Sequence, residues 1–398
     1  MIYLDWAASA PPEPEALEAA KEASLRFFAN PSAAHAAGRE AHELLEQART
    51  RLRLLLPGGE IAFTSGATES NELVLLSLVS RLKGSQARQR PVRIIVGAAE
   101  HASVFEQARM LEQLGIDVAF VAPNRNGFVE AERVAELVDN HTVLVSVQAV
   151  NNETGAVQPV GEISRAVREQ ATRFGRRIIM HADAAQAFGK IPFLPAELGL
   201  DAVSVSGHKI GGPRGVGALW ISAGLALESL AAGGGQESGR RPGTENLGGI
   251  LGFVTAAEKR AARLAEEYAS AGEKVRFLTH AVMDIPGVVF FPPSRRESVQ
   301  EGFSPYIVSF GFPPLPGEVL LRLAESKGFM IGTGSACASR KKTRTRVLES
   351  MGVKPEIALS AVRISIGHST TKADLEALAG MLKAEVPSLL AMTAGSRS

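Results

Sequence analysis

The chain has 398 residues, 45% of them hydrophobic and 21% charged, with 43 Lys and Arg against 42 Asp and Glu. This is the composition of an ordinary globular protein of two or three domains, and a formal net charge of +1 gives no global reason to expect nucleic acid or an anionic membrane as partner. A single cysteine excludes an intramolecular disulfide framework or a multi-cysteine metal site within one chain. No apolar run approaches the roughly 18 residues of a membrane span, and no basic segment followed by an apolar one opens the chain, so a cytoplasmic location is expected.

From about residue 60 to 220, short apolar segments alternate with amphipathic ones. Ile61-Ala62-Phe63 reads as a strand. The small residues Thr64-Ser65-Gly66-Ala67-Thr68 that follow it open a helical run. Free N–H groups and the helix dipole there make an anion cradle suited to a phosphate, although the same pattern serves as a helix start with nothing bound. Arg93–Val96 is the next strand, followed by His101 at the head of a helix over 103–114. An imidazole there can stack on an aromatic ring and move protons near neutral pH.

Further strands are read at Val118–Val121, Val143–Val147, Arg177–Met180, Ala202–Val205 and Gly215–Ile221, with helices near 129–138 and 160–174. Alternation of this kind implies a mostly parallel sheet covered by helices on both faces. Asn152 follows Val143–Val147. Asp183 closes the strand that opens at Arg177, with Gln186 three residues later, and Ser206-Gly207-His208-Lys209 follows Ala202–Val205. A lysine held by a rigid sheet edge beside another potential cation is suited to bind a carbonyl covalently. An aspartate can pair with a protonated pyridine nitrogen. His101, Asp183, Gln186, His208 and Lys209 are together the residue types that a pyridoxal phosphate enzyme needs.

Beyond residue 245 the pattern changes to a long helix over 245–284, strands at 288–291, 307–310 and 363–366, and helices near 316–326 and 371–385, with a frayed tail from Thr393. The expected organisation is a large α/β domain over 14–260, and a smaller α+β domain made of 1–13 and 261–398. The smaller domain carries a loop at about 332–346 with Cys337 among glycines and small polar residues. An accessible thiol in such a segment is a candidate nucleophile. Arg363 and Asn152 are candidate carboxylate holders, Arg363 being equally suited to a structural ion pair.

These segments, in this order, resemble the cysteine desulfurases, in the class V aminotransferase-like group of fold-type I pyridoxal phosphate enzymes. The matching pieces are Tyr3-Leu4-Asp5, Asn30-Pro31-Ser32-x-x-His35-x-x-Gly38-Arg39, Thr64 to Asn71, Glu100-His101, Asn151-Asn152-Glu153, Asp183-x-x-Gln186 and His208-Lys209. Arg241-x-Gly243-Thr244-Glu245-Asn246, Gly334-Ser335-Ala336-Cys337 and Arg363-x-Ser365-x-Gly367 complete them. The resemblance implies a seven-stranded, mostly parallel sheet in the large domain. It implies that Lys209 holds pyridoxal 5'-phosphate and moves protons, with His101 stacking on the ring and Asp183 and Gln186 tuning it. Ala67, Thr68, Ser206 and His208 would hold the phosphate, and Thr244 would reach it from the second subunit of a homodimer. Asn152 and Arg363 would grip the carboxylate of L-cysteine, and Cys337 would take its sulfur as a persulfide, releasing L-alanine. A sulfur-acceptor protein, such as an iron–sulfur scaffold or a sulfur carrier, is the implied partner. A selenocysteine or cysteine sulfinate lyase, and an aminotransferase of the same fold, are the alternatives on this scaffold.

Two features depart from the family pattern. Trp6-Ala7-Ala8-Ser9 stands where the family usually has Asn-Ala-Ala-Thr, which brings a bulky indole to the substrate entrance or the subunit contact. A basic run, Arg340 to Arg346, follows Cys337; it reads as a means of lowering the thiol pKa, a docking surface for an acidic acceptor, or simply a solvated loop.

Overall fold

The computed structural model of the chain describes residues 1–82, 92–296, 301–334 and 345–395. Cys337 and the basic residues from 340 to 344 lie outside the described residues.

Strand β1 (Ile2–Tyr3) leads into helices α1 (Pro14–Arg26) and α2 (Ala36–Leu55). Pro14 opens α1 where a missing N–H leaves no intrahelical bond unmade. The His35 ring caps α2 by accepting the Gly38 N–H at 3.2 Å. Gly38 has no room for a side chain, since a Cβ would stand 2.3 Å from the Ala33 carbonyl oxygen. The Asn30-to-Arg39 motif is a turn and a helix start.

An alternating series follows: β2 (Gly59–Thr64), α3 (Ala67–Leu76), β3 (Arg93–Gly97), α4 (Ala102–Gln113), β4 (Asp117–Val121), α5 (Ala131–Leu137), β5 (Thr142–Ser146), α6 (Val160–Arg173), β6 (Ile179–Asp183), β7 (Ala202–Ser206) and β8 (Gly217–Ser222). The strands form one seven-stranded sheet in the order β2-β8-β7-β6-β5-β3-β4. From β7 to β4 every neighbouring pair is parallel, while β8 is antiparallel to both β7 and β2. Strands β5, β6 and β7 are buried at every position, as central strands covered on both faces must be. Helix α6 shows why the covering works: Val160, Ile163, Val167 and Ala171 recur every three or four residues and all point inward. Each such aliphatic side chain contributes about 1.5–3 kcal/mol by leaving water.

The 37-residue helix α7 (Leu247–Met283) connects two hydrophobic cores. Leu247 to Ala257 pack with the large sheet. Ala271, Val275, Leu278 and Val282 pack instead with β9 (Val289–Phe290), β10 (Ile307–Gly311), α8 (Gly317–Ser326) and β11 (Phe329–Met330). The remaining elements are α9 (Arg346–Ser350), α10 (Pro355–Ala358), β12 (Ala361–Ser365) and α11 (Lys372–Gly395). Strands β12, β10 and β9 form a three-stranded antiparallel sheet, and β1 pairs in parallel with β11, so the N-terminus belongs to the second core. Several boundaries differ from the sequence reading. Strand β6 begins two residues late, after Arg177 and Ile178, and α11 continues to Gly395, taking in Thr393. Among the described residues no helix is long and apolar enough to cross a membrane.

Candidate active site

The carboxyl ends of the parallel strands meet in a cavity of about 470 Å³, the place where open α/β sheets put their ligands. Strand β2 delivers Ala67 and Thr68, β3 delivers His101, and β5 delivers Gln148 and Asn152. Strand β6 ends on Asp183 with Gln186 beyond it, and β7 ends on Ser206 with His208 and Lys209 beyond it. Arg363 enters from β12 of the second core.

At the end under β2 and β7, Gly66 precedes α3 without a side-chain cap. Its φ of 151° suits glycine, and a Cβ there would lie 3.7 Å from Ser206 Oγ. A second glycine, Gly217 on β8, allows this approach: a Cβ on it would stand 2.6 Å from Gly66 Cα. The uncapped start of a ten-residue helix, with the Thr68 and Ser206 hydroxyls beside it, is a cradle for a phosphate. His208 lines the same wall, its Nδ1 3.2 Å from Ser9 Oγ. Burial and the nearby Lys209, Lys190 and Arg214 push its pKa down to about 4, so the ring is neutral at pH 7.

Asp183 is 6% exposed. Its Oδ2 accepts from Asn71 Nδ2 at 2.8 Å and its Oδ1 from the Ala185 N–H at 2.9 Å. Asn71 Nδ2 also donates to Ser103 Oγ at 2.9 Å, and that hydroxyl lies 2.8 Å from His101 Nδ1. The Ser103 N–H points to the same nitrogen at 3.2 Å. Nδ1 therefore accepts, and the proton of the neutral ring belongs on Nε2. Burial is the main reason the His101 pKa is lowered; Lys209, Arg346 and Arg363 add to it and Asp183 opposes it.

Lys209 Nζ donates to the carbonyls of Ala7 and Ala8 at 2.7 and 2.8 Å. Gln186 Nε2 donates to the same Ala7 carbonyl at 2.8 Å. The N-terminal segment is thus a wall of the site. The sequence reading brought Trp6 to the substrate entrance or the subunit contact but did not identify the Ala7 and Ala8 carbonyls, because a backbone carbonyl has no residue signature.

Arg363 makes the structural ion pair that the sequence allowed and also borders the cavity. Nη2 pairs with Asp5 Oδ1 at 2.7 Å and Nη1 donates to the Asn152 carbonyl at 2.8 Å, while the buried Nε has no partner and the side chain borders the cavity. Asn152 and Arg363 are thus neighbours at the cavity wall, joined through the Asn152 backbone carbonyl. Thr244 is exposed and does not line this cavity. Trp6 does not line it either: the indole is buried behind Lys209, against Gly367 and His368.

The two described ends of the segment that carries Cys337 touch residues in or next to the cavity lining. Gly332 pairs with Arg363 through both backbone hydrogen bonds, and a Cβ on Gly334 would stand 3.0 Å from Glu153 Oε2. On the far side, the Arg346 guanidinium donates to the carbonyls of Ala98 and Glu100, next to His101, and lies over the Phe105 ring with its carbon 3.9 Å from the centroid. Arg346 and Asn71 are functional candidates that the sequence reading did not single out.

The aminotransferase class-V family model matches residues 2–378. Cysteine desulfurase IscS 1 of Archaeoglobus fulgidus is 35% identical over 395 residues, covering 99% of each chain. A putative cysteine desulfurase NifS of Bacillus subtilis is 35% identical over 384 residues, covering 95% of this chain and 93% of its own. Among solved structures, a NifS-like protein superposes with a TM-score of 0.86 at 32% identity, covering 98% of this chain and 99% of its own. The chain belongs to the class-V aminotransferase family and, within it, to the cysteine desulfurases.

Proposed function

We propose that the chain converts L-cysteine to L-alanine on pyridoxal 5'-phosphate and places the sulfur on Cys337 as a persulfide, for delivery to an acceptor protein. The observation that carries this reading is the convergence of Lys209, Asp183, His101 and the helix-start cradle at one cavity, with both described ends of the Cys337 segment beside it. The donor set fits the cofactor. Gly66, Thr68 and Ser206 would hold the phosphate, Asp183 would pair with the ring nitrogen, Gln186 with the ring oxygen, and Lys209 with the aldehyde. When bound, the cofactor supplies an electron sink for the carbanion formed at the substrate α-carbon.

The protein's own groups do the rest. Lys209 would hold the cofactor, and its amine would carry protons to and from the substrate. Neutral His101, with its Nε2 proton, assists that transfer. Arg363 and Asn152 orient the substrate carboxylate, Nη1 and Nη2 of Arg363 each having a second hydrogen beyond those given to Asn152 and Asp5. The Cys337 thiolate attacks the substrate sulfur: an S–S bond forms, the C–S bond breaks with its electron pair passing to the carbon skeleton, and a proton completes alanine. Substrate plus enzyme thiol thus balances as alanine plus enzyme persulfide.

Thr244, exposed on its own chain, serves the phosphate of the partner subunit in a homodimer. A cytoplasmic iron–sulfur scaffold or sulfur carrier is the acceptor class. The test is alanine formation from L-cysteine with a thiol reductant, native protein and Cys337→Ala side by side. Alanine from the native protein alone supports the reading. Equal alanine from both removes Cys337 from the chemistry and favours a lyase, and none from either, with cofactor bound, points to another substrate.

A further inference from the structure

Lys190 lies one turn beyond Gln186, in the turns that follow β6. Backbone bonds from Phe188 to Ala184 and from Ile191 to Ala187 close that turn, which brings residues 186 and 190 to the same side. Lys190 Nζ donates to Gln186 Oε1 at 2.7 Å. The charged groups that act on it are Lys209 and Arg363, both cations, and with burial they push its pKa down to about 7. Among the described residues it makes no ion pair. An ordinary lysine so placed would turn its ammonium to solvent; this one points inward among like charges, toward an amide oxygen.

The two ends of a carboxamide have nearly the same shape, so only their partners decide which faces where. Lys190 donates to one end of Gln186, which must be the oxygen. The Ala7 carbonyl can only accept, and it holds the other end, Nε2, at 2.8 Å. Among the described residues no acceptor takes the second Nε2 hydrogen, and Gln186 lines the large cavity. The same Ala7 carbonyl takes Lys209 Nζ at 2.7 Å, so the orientation of Gln186 is tied to that of the cofactor-binding lysine.

We propose that Lys190 is a positioning residue: it holds the Gln186 amide so that the cavity offers a hydrogen-bond donor, not an acceptor, to the ring oxygen of bound pyridoxal phosphate. The inference rests on the cofactor reading above.

The test titrates cofactor-free protein with pyridoxal phosphate and follows both affinity and the visible band of lysine-bound pyridoxal. Lys190→Met weakens binding about tenfold, the order expected for loss of a hydrogen bond to a charged group, and shifts the band. Lys190→Arg, which stays charged and only donates, retains most of the affinity. In a Gln186→Ala background, Lys190→Met changes affinity by less than about twofold, because its effect passes through the amide. An equal loss with and without Gln186, or no loss at all, overturns the inference while leaving the cofactor reading intact. Absence of any cofactor band in the native protein overturns both. Should Lys190→Met not fold, Gln186→Glu removes the donor with little change of shape: about tenfold weaker binding is expected, and unchanged affinity overturns the inference.

Discussion

Asn71 Nδ2 donates to Asp183 Oδ2 at 2.8 Å and to Ser103 Oγ at 2.9 Å, so one amide ties the Asp183 carboxylate to the hydroxyl that orients His101. Both of its hydrogens are used. Replacing Asn71 with Asp sets a second carboxylate beside Asp183 and removes both donors. Expected is a loss of cofactor affinity of about tenfold or more, with a His101-dependent proton-transfer rate that falls as well. Asn71→Ala, which removes the donors without adding charge, should cost less. Titration with pyridoxal phosphate and single-turnover kinetics check the order.

Arg346 makes a second long-range tie. Its guanidinium grips the Ala98 and Glu100 carbonyls and lies over Phe105, at the point where the described chain resumes after the Cys337 segment. Arg346→Ala is expected to lower alanine formation severalfold while leaving the cofactor band unchanged, since the substituted group lies at the segment's end and not against the ring. Arg346→Lys should fall between, because an ammonium cannot span two carbonyls as a planar fork does. The stability cost is about 1.5–3 kcal/mol, the range for hydrogen bonds to a charged group, and thermal or urea unfolding measures it.

These ties explain which parts of the molecule were legible in the sequence. Strands such as Ala202–Ser206 were visible because both faces are buried and the whole segment is apolar or small. Asp183, Ser206 and Lys209 were visible because a polar residue at the end of an apolar run stands at a sheet edge. Helix α6 followed from its period. What stayed hidden was carried by groups without a pattern: the Ala7 and Ala8 carbonyls, Asn71 inside a helix, and Arg346 acting across 248 residues on a carbonyl. Trp6 was noticed only as a departure from the family. The structure supplies its setting, behind Lys209, and places it at neither the main cavity nor its rim.

Glu153 gives a pH-dependent prediction. Burial raises its pKa from 4.5 to about 7 against the opposing pull of Arg363 and Arg346. The folded protein thus keeps the proton over a range where the unfolded chain has lost it. The resulting stabilisation is complete below about pH 4.5 and is lost as the pH rises through about 7. Glu153→Gln, neutral throughout, removes this dependence. Relative to the native protein the variant should gain stability between slightly acid and slightly alkaline solution, by at most about 3 kcal/mol. Urea unfolding of both proteins on either side of neutrality measures the difference; a gain that shrinks toward higher pH would contradict the assignment.

Gly367 and Trp6 form the last pair. The indole Nε1 donates to the Tyr3 carbonyl at 3.2 Å, and the ring meets His368 edge-on at 5.1 Å between centroids. The other face of the indole covers Gly367, where a Cβ would stand 2.1 Å from the ring. Such an approach leaves no freedom for even a methyl group. Gly367→Ala must therefore displace Trp6, and with it the Tyr3–Ala10 segment whose Ala7 carbonyl holds Lys209 and Gln186. The expected cost is about 1–3 kcal/mol of stability, the usual range for overpacking. In a Trp6→Ala background the same substitution meets empty space, and its cost should fall to within about 0.5 kcal/mol of zero. If the cost stays the same without the indole, the glycine is required by its backbone and not by its neighbour. Cofactor affinity measured on the same four proteins then shows whether the displaced segment carries Lys209 with it: a parallel loss in Gly367→Ala, absent from the double variant's increment, ties the indole to the cofactor site.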